Sequence, residues 1–379
     1  MESYEVDYCC FSVVVYVFNF VIVLCYSRAM NLIHKLMHLF LPPLILLTSS
    51  FTLSLVILFN FIYSFLRPAL PIENMTGKVA LITGASSGIG EHIAYEYAKK
   101  GASLVLVARR ENSLREVARK AVQLGSPDVL AVPADVSKVH ECKKFVEEAV
   151  NHFGRLDHLV CNAGIISFCA FEDITGIGNF TPLMDINFWG SIYTTSFAIP
   201  HLKKTKGKII ANASSSGWLI SPTLSLYGAS KAAVINFYER LRKELEPDVK
   251  VTIAALGFIE SEMSQGKHLD NEGVVKVNQE MRDVSIGILP ILSVGKCAES
   301  IVNKACRGER YVIEPPWFKV LILIQFLCPT LLEWAVHFLY VTKSGTPVTN
   351  ARNKKILDAI GGKKFLYPSS ILSSQIKKD

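Results

Sequence analysis

The sequence predicts an α/β protein built on one doubly wound parallel sheet, preceded by an apolar N-terminal segment of anchor length. Two observations indicate the sheet: short apolar runs alternate with amphipathic helices from residue 74 onward, and a glycine-rich loop joins the first run to the first helix. The anchor follows from long stretches before residue 67 that lack charged side chains. We therefore divide the chain into an extension (1–29), an anchor (30–67), the sheet domain (74–310), and an apolar helical region with a polar tail (311–379).

Composition excludes several classes of protein. Half of the 379 residues are hydrophobic, 19% are charged, and the net charge is +7. This charge suits an anionic cofactor or an anionic membrane surface, although ordinary solubility explains it equally well. No dense basic run with interleaved aromatics occurs, so we expect no nucleic-acid partner. The nine cysteines are odd in number and form no Cys-x-x-Cys pair, which predicts neither disulfides nor a metal site and favours a reducing, cytosol-facing location.

Two apolar stretches precede the domain. Residues 8–27 carry no charge and are long enough to cross a bilayer once, and their flanking charges orient the C-terminal end toward the cytosol. Residues 36–66 carry no Asp, Glu, Lys or Arg, with Pro42-Pro43 near the start and hydroxyl side chains at the middle. This length fits a hairpin that dips to mid-depth and returns, as on a lipid droplet. It fits equally well one tilted spanning helix with a proline kink.

The pattern of apolar residues assigns the elements of the domain. We predict strands at residues 79–83, 103–107, 129–132, 158–161, 208–212 and 249–255, with a seventh at 310–313. Helices are predicted at 89–100, 141–153, 183–198 and 226–245. Residues 317–340 are strongly apolar and interrupted by Pro329. They fit a helix pair on a membrane surface, a lid over an apolar pocket, or an ordinary core helix.

The glycine loop is the first functional motif. The run Thr-Gly-Ala-Ser-Ser-Gly-Ile-Gly occupies residues 83–90, between the first strand and the first helix. Glycines there allow a tight turn, let backbone N–H groups approach a pyrophosphate, and let the helix pack closely on the strand. The helix N-terminus adds partial positive charge. The motif predicts a dinucleotide site of Rossmann type.

The end of the second strand indicates which dinucleotide binds. An NAD enzyme needs a carboxylate at this edge for the ribose hydroxyls, but the chain continues Ala-Arg-Arg-Glu at residues 108–111. The guanidinium of Arg109 matches a 2′-phosphate, which predicts NADP(H). The alternative is a solvated arginine at the start of a helix.

Ser214, Tyr227 and Lys231 form the candidate catalytic group. Tyr227 and Lys231 are four residues apart, so they share one face of the predicted helix, and Ser214 lies at the end of the fifth strand. We expect the ammonium to lower the pKa of the phenol from its usual value of about 10, which gives a general acid/base near neutral pH. Ser214 would hold a substrate oxygen. The spacing alone is weak evidence for catalysis, because Tyr-x-x-x-Lys is common on solvated helices.

Six motifs, in order along the chain, resemble those of a known family. They are the glycine loop, Ala-Asp-Val at 134–136, Asn-Ala-Gly at 162–164, Asn187, Ser214 and Tyr227-x-x-x-Lys231. Over about residues 74–308 the chain resembles the short-chain dehydrogenases/reductases. Residues 91–98, 154–160 and 185–190 resemble the plant 11-beta-hydroxysteroid dehydrogenase-like proteins, the steroleosins. Those are oil-body and endoplasmic-reticulum proteins with a proline-containing hairpin. They begin near the equivalent of Met30, so we expect residues 1–29 to be an extension of the reading frame.

The resemblance implies roles for the matching residues. Ser214 binds the substrate oxygen, Tyr227 exchanges the proton, and Lys231 tunes Tyr227 and binds the nicotinamide ribose. Asn187 supports a water relay. The implied cofactor contacts are Gly84, Ser86, Ser87, Gly88, Ile89 and Gly90 at the phosphates, Arg109 at the 2′-phosphate, Asp135 and Val136 at the adenine, Asn162, Ala163 and Gly164 at the ribose, and Ile259 and Ser261 after the sixth strand.

Three positions depart from the family pattern. Cys161 precedes the Asn162 motif and should face the sheet, with little effect, and Ser261 replaces threonine but keeps the hydroxyl. Leu256 stands where proline is usual, so we expect a looser loop over the nicotinamide.

The resemblance therefore implies an NADP(H)-dependent hydroxysteroid dehydrogenase that transfers hydride reversibly between nicotinamide and a secondary alcohol or ketone of a sterol-like lipid. The implied location is the lipid droplet or endoplasmic-reticulum membrane, with the catalytic domain facing the cytosol, and the two long helices imply a homodimer. Alternatives are a retinoid, fatty-acyl or sphingoid ketone as substrate, or a lipid-droplet coat or sterol-binding protein with an idle dehydrogenase domain.

Overall fold

The computed structural model of the protein describes residues 30–49, 52, 55, 58, 72–342 and 346–372. The chain forms two compact units, Met1–Pro71 and Ile72–Asp379. The predicted span at residues 8–27 and most of the second arm of the expected hairpin lie outside the described residues, so both stay predictions.

In the first unit, helix α1 comprises Met30–Ser49, and it is long and apolar enough to cross a membrane. It continues without a break through Pro42 and Pro43. The hydroxyl of Thr48 donates to the carbonyl of Leu44 at 2.8 Å, so this polar group is satisfied within the helix. Apolar side chains cover its exposed surface, as an anchor requires.

The second unit is built on a seven-stranded parallel sheet, which confirms the predicted fold class. The strands are β1 Val79–Thr83, β2 Ser103–Ala108, β3 Val129–Pro133, β4 His158–Cys161, β5 Lys208–Asn212, β6 Lys250–Leu256 and β9 Tyr311–Glu314, in the order β3-β2-β1-β4-β5-β6-β9. A small antiparallel pair, β7 Lys267–Leu269 and β8 Val275–Val277, lies apart from it. Each predicted strand is present, with ends shifted by one residue at most. The strand order reverses between β1 and β4, which is where open α/β sheets bind ligands at the carboxyl ends of their strands.

Helices cover both faces of this sheet. They are α2 Gly88–Lys99, α3 Glu111–Gln123, α4 Val139–Phe153, α5 Thr181–Met184, α6 Gly190–Thr205, α7 Ser225–Leu245, α8 Gln279–Ile286 and α9 Val294–Arg307. Between α5 and α6, Asp185–Trp189 form a π-helical turn, so the helix predicted at 183–198 is a longer, interrupted one. One core cluster packs α2, α3 and α9 on the sheet, and the other packs α4, α6 and α7 on the opposite face. Cys161 is buried in the second cluster, as predicted.

The region after the sheet is helical. It contains α10 Phe318–Leu327, α11 Pro329–Tyr340, α12 Arg352–Ala359, α13 Lys363–Leu366 and α14 Ser369–Leu372. Helices α10 and α11 are bent by 118° at the break before Pro329. Phe318 is the buried residue of the pair, and the other apolar side chains are half-buried or exposed, so the interpretation of residues 317–340 as a core helix is wrong. The break follows from Pro329, which lacks the N–H that a continuing helix needs.

Candidate active site

The loop between β1 and α2 has a backbone that admits a diphosphate. Gly84 and Gly88 adopt φ values of +67° and +58°, which side-chain-bearing residues rarely do. A Cβ at Gly90 would lie 2.4 Å from the carbonyl oxygen of Gly84, so only glycine lets α2 approach the loop this closely. Ser87 is the N-cap of α2, and its side chain makes no capping hydrogen bond. The side chain of Ser87 therefore leaves the N–H groups of the first helical turn uncapped, and a helix start of this kind suits an anion.

A chain of hydrogen bonds joins the carboxyl ends of β1, β4 and β5. The hydroxyl of Thr83 accepts from the backbone N–H groups of Asn162 and Ala163 at 3.0 and 3.2 Å. The amide of Asn162 donates to the Thr83 carbonyl at 3.0 Å and accepts from the Asn212 side chain at 2.7 Å. The ammonium of Lys231 donates to the Asn212 carbonyl at 3.0 Å. Asn162 therefore links the end of β1, where the glycine loop begins, to Asn212 at the end of β5, whose carbonyl accepts from Lys231.

Thr83 and Asn212 were absent from the site predicted from sequence. Both are polar residues at the carboxyl end of an otherwise apolar strand, and this position was the signal that could have identified them.

The structure brings Ser214, Tyr227 and Lys231 together, as predicted. All three are less than a tenth exposed. The Lys231 ammonium nitrogen lies 5.9 Å from the centre of the Tyr227 ring. The Ser214 hydroxyl accepts from the backbone N–H of Ser216 at 3.2 Å and donates to the carbonyl of Leu256 at 3.3 Å, so the turn after β5 fixes its orientation.

Burial controls the titration of this group. Loss of hydration raises the pKa of Tyr227 to about 12, although a hydrogen bond with Ser214 opposes the shift. Loss of hydration also lowers the pKa of Lys231 to about 8. The expected lowering of the Tyr227 pKa is therefore wrong, because desolvation by burial is the largest effect on this phenol. At neutral pH the site holds a protonated phenol beside a lysine that is mostly charged.

Asn187 links the segment after β4 to helix α7. It lies in the π-helical turn, and its side chain accepts from the N–H of Ile165 at 2.8 Å and donates to the Ile165 carbonyl at 2.9 Å. Its amide also donates to the Ser230 hydroxyl at 2.9 Å, which in turn donates to the Tyr227 carbonyl at 2.7 Å. A Cβ at Gly164 would lie 3.1 Å from the Asn187 side-chain oxygen. These contacts place Asn187 in the site, and its water relay stays a prediction.

The two arginines after β2 lie in different environments. Arg109 is exposed. The guanidinium of Arg110 donates to the hydroxyls of Ser86 and Ser87 at 3.3 and 2.6 Å and pairs with Glu262 at 2.8 Å. That pairing holds the pKa of the Glu262 carboxyl below its usual range, against the effect of burial. The contact between the end of β2 and the glycine loop is thus made by Arg110, which sequence reasoning did not assign.

The remaining predicted cofactor residues lie at the same edge of the sheet. Asp135 accepts from the N–H and hydroxyl of Ser137 at 3.0 and 2.9 Å, which shapes the connection from β3 to α4. Val136 is buried, and a Cβ at Gly190 would lie 2.8 Å from its side chain. Their contact with adenine stays a prediction.

The segment after β6 closes over the start of α2. The carbonyl of Ile259 accepts from the Ser264 hydroxyl at 2.8 Å, and the N–H of Ser261 donates to the same hydroxyl at 2.8 Å. A Cβ at Gly88 would lie 3.5 Å from the Cβ of Ser261, so the segment faces the glycine loop. The N–H of Gly257 donates to the Glu314 carbonyl at 2.7 Å. This bond ties the backbone after Leu256 to the end of β9, and the looser loop expected there stays a prediction.

An apolar cluster packs around Tyr227. Its buried members include Ile166, Phe168, Leu183, Leu224 and Leu269. Tyr227 therefore lies among apolar side chains.

The fold and the site together define a nicotinamide-dependent oxidoreductase: a dinucleotide-binding sheet with a glycine loop and a Ser–Tyr–Lys group at its carboxyl edge. Residues 78–272 match the short chain dehydrogenase family, and the chain belongs to that family.

Known relatives and solved structures agree with this assignment. The chain is 53% identical to 11-beta-hydroxysteroid dehydrogenase 1A of Arabidopsis thaliana over 81% of its own length and 88% of the relative. It is 48% identical to 11-beta-hydroxysteroid dehydrogenase A of Arachis hypogaea, over 92% of this chain and 100% of the relative.

Two solved structures share the fold. A short-chain dehydrogenase/reductase of Burkholderia phymatum in complex with NAD has a TM-score of 0.58 at 22% identity, covering 68% of this chain and 96% of that one. An alcohol dehydrogenase of Thermococcus sibiricus complexed with 5-hydroxy-NADP has a TM-score of 0.51 at 25% identity, covering 62% and 95%. Because one neighbour holds NAD and the other an NADP derivative, the fold does not distinguish the two cofactors.

Proposed function

We propose that this oxidoreductase is an NADP(H)-dependent hydroxysteroid dehydrogenase that interconverts a secondary alcohol and a ketone on a sterol-like lipid, at a lipid droplet or endoplasmic-reticulum membrane. The observation that carries the proposal is the buried Tyr227–Lys231 pair beside Ser214, which adjoins an apolar cluster. The names of the Arabidopsis and Arachis relatives support the steroid assignment.

The residues of the site divide the reaction as follows. A bound nicotinamide supplies the hydride donor for reduction and the acceptor for oxidation. In reduction, Ser214 holds the carbonyl oxygen and the Tyr227 phenol donates its proton to it. In oxidation, Tyr227 takes the hydroxyl proton back. A phenol that is protonated at neutral pH is the form that reduction requires, and the Lys231 charge stabilises the phenolate that reduction leaves.

The backbone of the site fits the phosphates of a dinucleotide. The glycine cradle at Gly84, Gly88 and Gly90 and the first turn of α2 would hold the diphosphate. The NADP(H) preference rests on the residues after β2. Ala108 offers no carboxylate to ribose hydroxyls, while Arg109 and Arg110 supply two guanidiniums for a 2′-phosphate.

A substrate screen tests the assignment. The full chain in detergent is mixed with NADPH or NADH and a panel of steroid, retinoid, sphingoid and fatty-acyl ketones, and loss of nicotinamide fluorescence is followed. We expect turnover of a steroid ketone with NADPH. If only ketones of another class are turned over, the steroid assignment is wrong and that class is the substrate. If sterol binds but no ketone of the panel is turned over, the proposal of an active dehydrogenase is contradicted.

The membrane location rests on α1, whose length and apolar surface suit an anchor. A fluorescent fusion lacking residues 36–66 should become diffuse in the cell. Droplet or membrane targeting that survives the deletion would contradict the anchor.

We propose in addition that the domain forms a homodimer through α6 and α7. Trp189, just before α6, is 43% exposed and stacks on Tyr193 at a ring-centre distance of 5.8 Å, which leaves an aromatic surface for a second copy. Sedimentation should give a dimer for the wild type and a monomer for Trp189→Glu; a dimer in both would place the contact elsewhere.

A further inference from the structure

The bent helix pair α10–α11 presents an apolar tip to solvent. The exposed fraction rises toward the break between the helices, from 56% at Leu323 to 67% at Phe326 and 75% at Leu327. On the other side of the break, Leu331 is 53% and Trp334 66% exposed. A contiguous run of large exposed apolar side chains on a soluble domain marks an interaction surface.

The base of the pair is held firmly by the domain. Phe318, the first residue of α10, is buried against Gly257 and contacts the ring of Phe258. At the other end, the guanidinium of Arg352 lies 4.6 Å from the centre of the Phe338 ring and donates to the Phe338 carbonyl at 3.1 Å. The apolar tip is therefore an ordered part of the domain.

We infer that the α10–α11 tip inserts into the surface of the phospholipid bilayer to which α1 anchors the chain. This inference rests on the membrane location proposed above. The unit that carries the anchor continues directly into the domain at Ile72, so anchoring keeps the domain close to a bilayer. Lipid also needs no shape complementarity, and α10 has only Lys319 and Gln325 as polar side chains.

The charges beside the tip match an anionic lipid surface. Arg352 and Lys355 on α12 are exposed next to the end of α11, and Lys319 is exposed at the start of α10. The exposed acidic residues of these helices are Glu333 on α11 and Asp358 on α12. An excess of basic groups around an apolar insertion is what anionic headgroups attract. The exposed ring of Trp334 suits the boundary between headgroups and acyl chains.

Cys328, exposed at the break between the helices, provides the probe. The full chain is prepared with Cys9, Cys10 and Cys25 replaced by serine, and a nitroxide is attached to Cys328. The other described cysteines are buried. The control is Lys143→Cys with Cys328→Ser, which places the label on an exposed position of α4 in the same anchored chain. Both are reconstituted into phosphatidylcholine vesicles with and without phosphatidylserine.

On vesicles, the Cys328 label should be more accessible to oxygen and less accessible to a water-soluble nickel complex than the Lys143→Cys label. Phosphatidylserine in the vesicles should increase this difference. Equal accessibility at the two positions would overturn the insertion while leaving the α1 anchor intact. Dipolar broadening between Cys328 labels would overturn it in favour of a second copy on this face. Failure of the chain to float with vesicles would overturn both the insertion and the anchor. The double variant Phe326→Asp/Leu327→Asp should abolish the difference in accessibility between the two label positions. Val122→Asp, at an exposed position of α3, should leave that difference unchanged.

Discussion

The ring of Phe318 lies against the backbone of Gly257 so closely that a Cβ added at Gly257 would stand 2.3 Å from the Phe318 Cε2 atom. Gly257 begins the segment after β6 that carries Ile259 and Ser261, and Phe318 begins the helix pair α10–α11. This segment and the base of the helix pair are thus in direct contact at one residue pair.

Gly257→Ala should destabilise the domain by about 1–3 kcal/mol, because the added methyl group has no room beside a buried ring. Thermal unfolding of the full chain in detergent measures it. Gly295→Ala, on α9 with open space around its Cβ, is the matched control and should be neutral or stabilising. Phe318→Leu in the Gly257→Ala background should restore part of the loss; equal unfolding midpoints for Gly257→Ala and wild type would contradict the contact.

Thr83→Val should lower the stability of the domain by about 1–3 kcal/mol, because it leaves the partly buried N–H groups of Asn162 and Ala163 without their acceptor. The affinity for the dinucleotide should fall as well, since the strand end that carries the glycine loop loses its brace. Thr83→Ser keeps the hydroxyl and should behave as the wild type. Unchanged stability and affinity in Thr83→Val would mean that the brace is dispensable.

Ala108→Asp should shift the cofactor preference from NADPH toward NADH. A carboxylate at the end of β2 repels a 2′-phosphate and accepts hydrogen bonds from ribose hydroxyls. Dissociation constants for both cofactors measure the shift. The single variants Arg109→Ala and Arg110→Ala should each weaken the binding of NADPH more than the binding of NADH. If all three variants lose affinity for both cofactors to the same extent, the assignment of NADP(H) is wrong.

Lys231→Met should change how stability depends on pH. The unfolded chain keeps the Lys231 proton up to its usual pKa of 10.5, whereas the folded site releases it near 8. In this window the unfolded state binds more protons, so the contribution of Lys231 to the free energy of unfolding rises with pH. Between pH 8 and 10 the wild type should gain about 2 kcal/mol relative to Lys231→Met. A constant difference across that range would show that burial does not depress this pKa.

Much of the fold and the site was predictable because its signals are local. The strand at 79–83, the loop at 83–90 and the spacing of Tyr227 and Lys231 are each read from a few adjacent residues, and the structure confirms the strand and brings these groups to one edge. The alternation of apolar runs also gave the parallel sheet in full.

Apart from Thr83 and Asn212, the misses depend on contacts between distant parts of the chain. Arg110 reaches Glu262, and Lys231 bonds to a backbone carbonyl that no side-chain pattern reports. The raised pKa of Tyr227 follows from burial, which depends on everything packed around it. The exposure of α10 had the same origin, because an apolar sequence alone does not reveal whether another element covers it.

The central claim is that Tyr227 exchanges the proton with the substrate oxygen, and Tyr227→Phe tests it most directly. Steady-state turnover of the steroid ketone found in the screen is measured together with NADPH affinity, with Tyr193→Phe on α6 as the control. Loss of one positioned acid/base should lower turnover about a hundredfold or more while NADPH affinity stays near that of the wild type. Turnover within a few-fold of the wild type in Tyr227→Phe would contradict the mechanism.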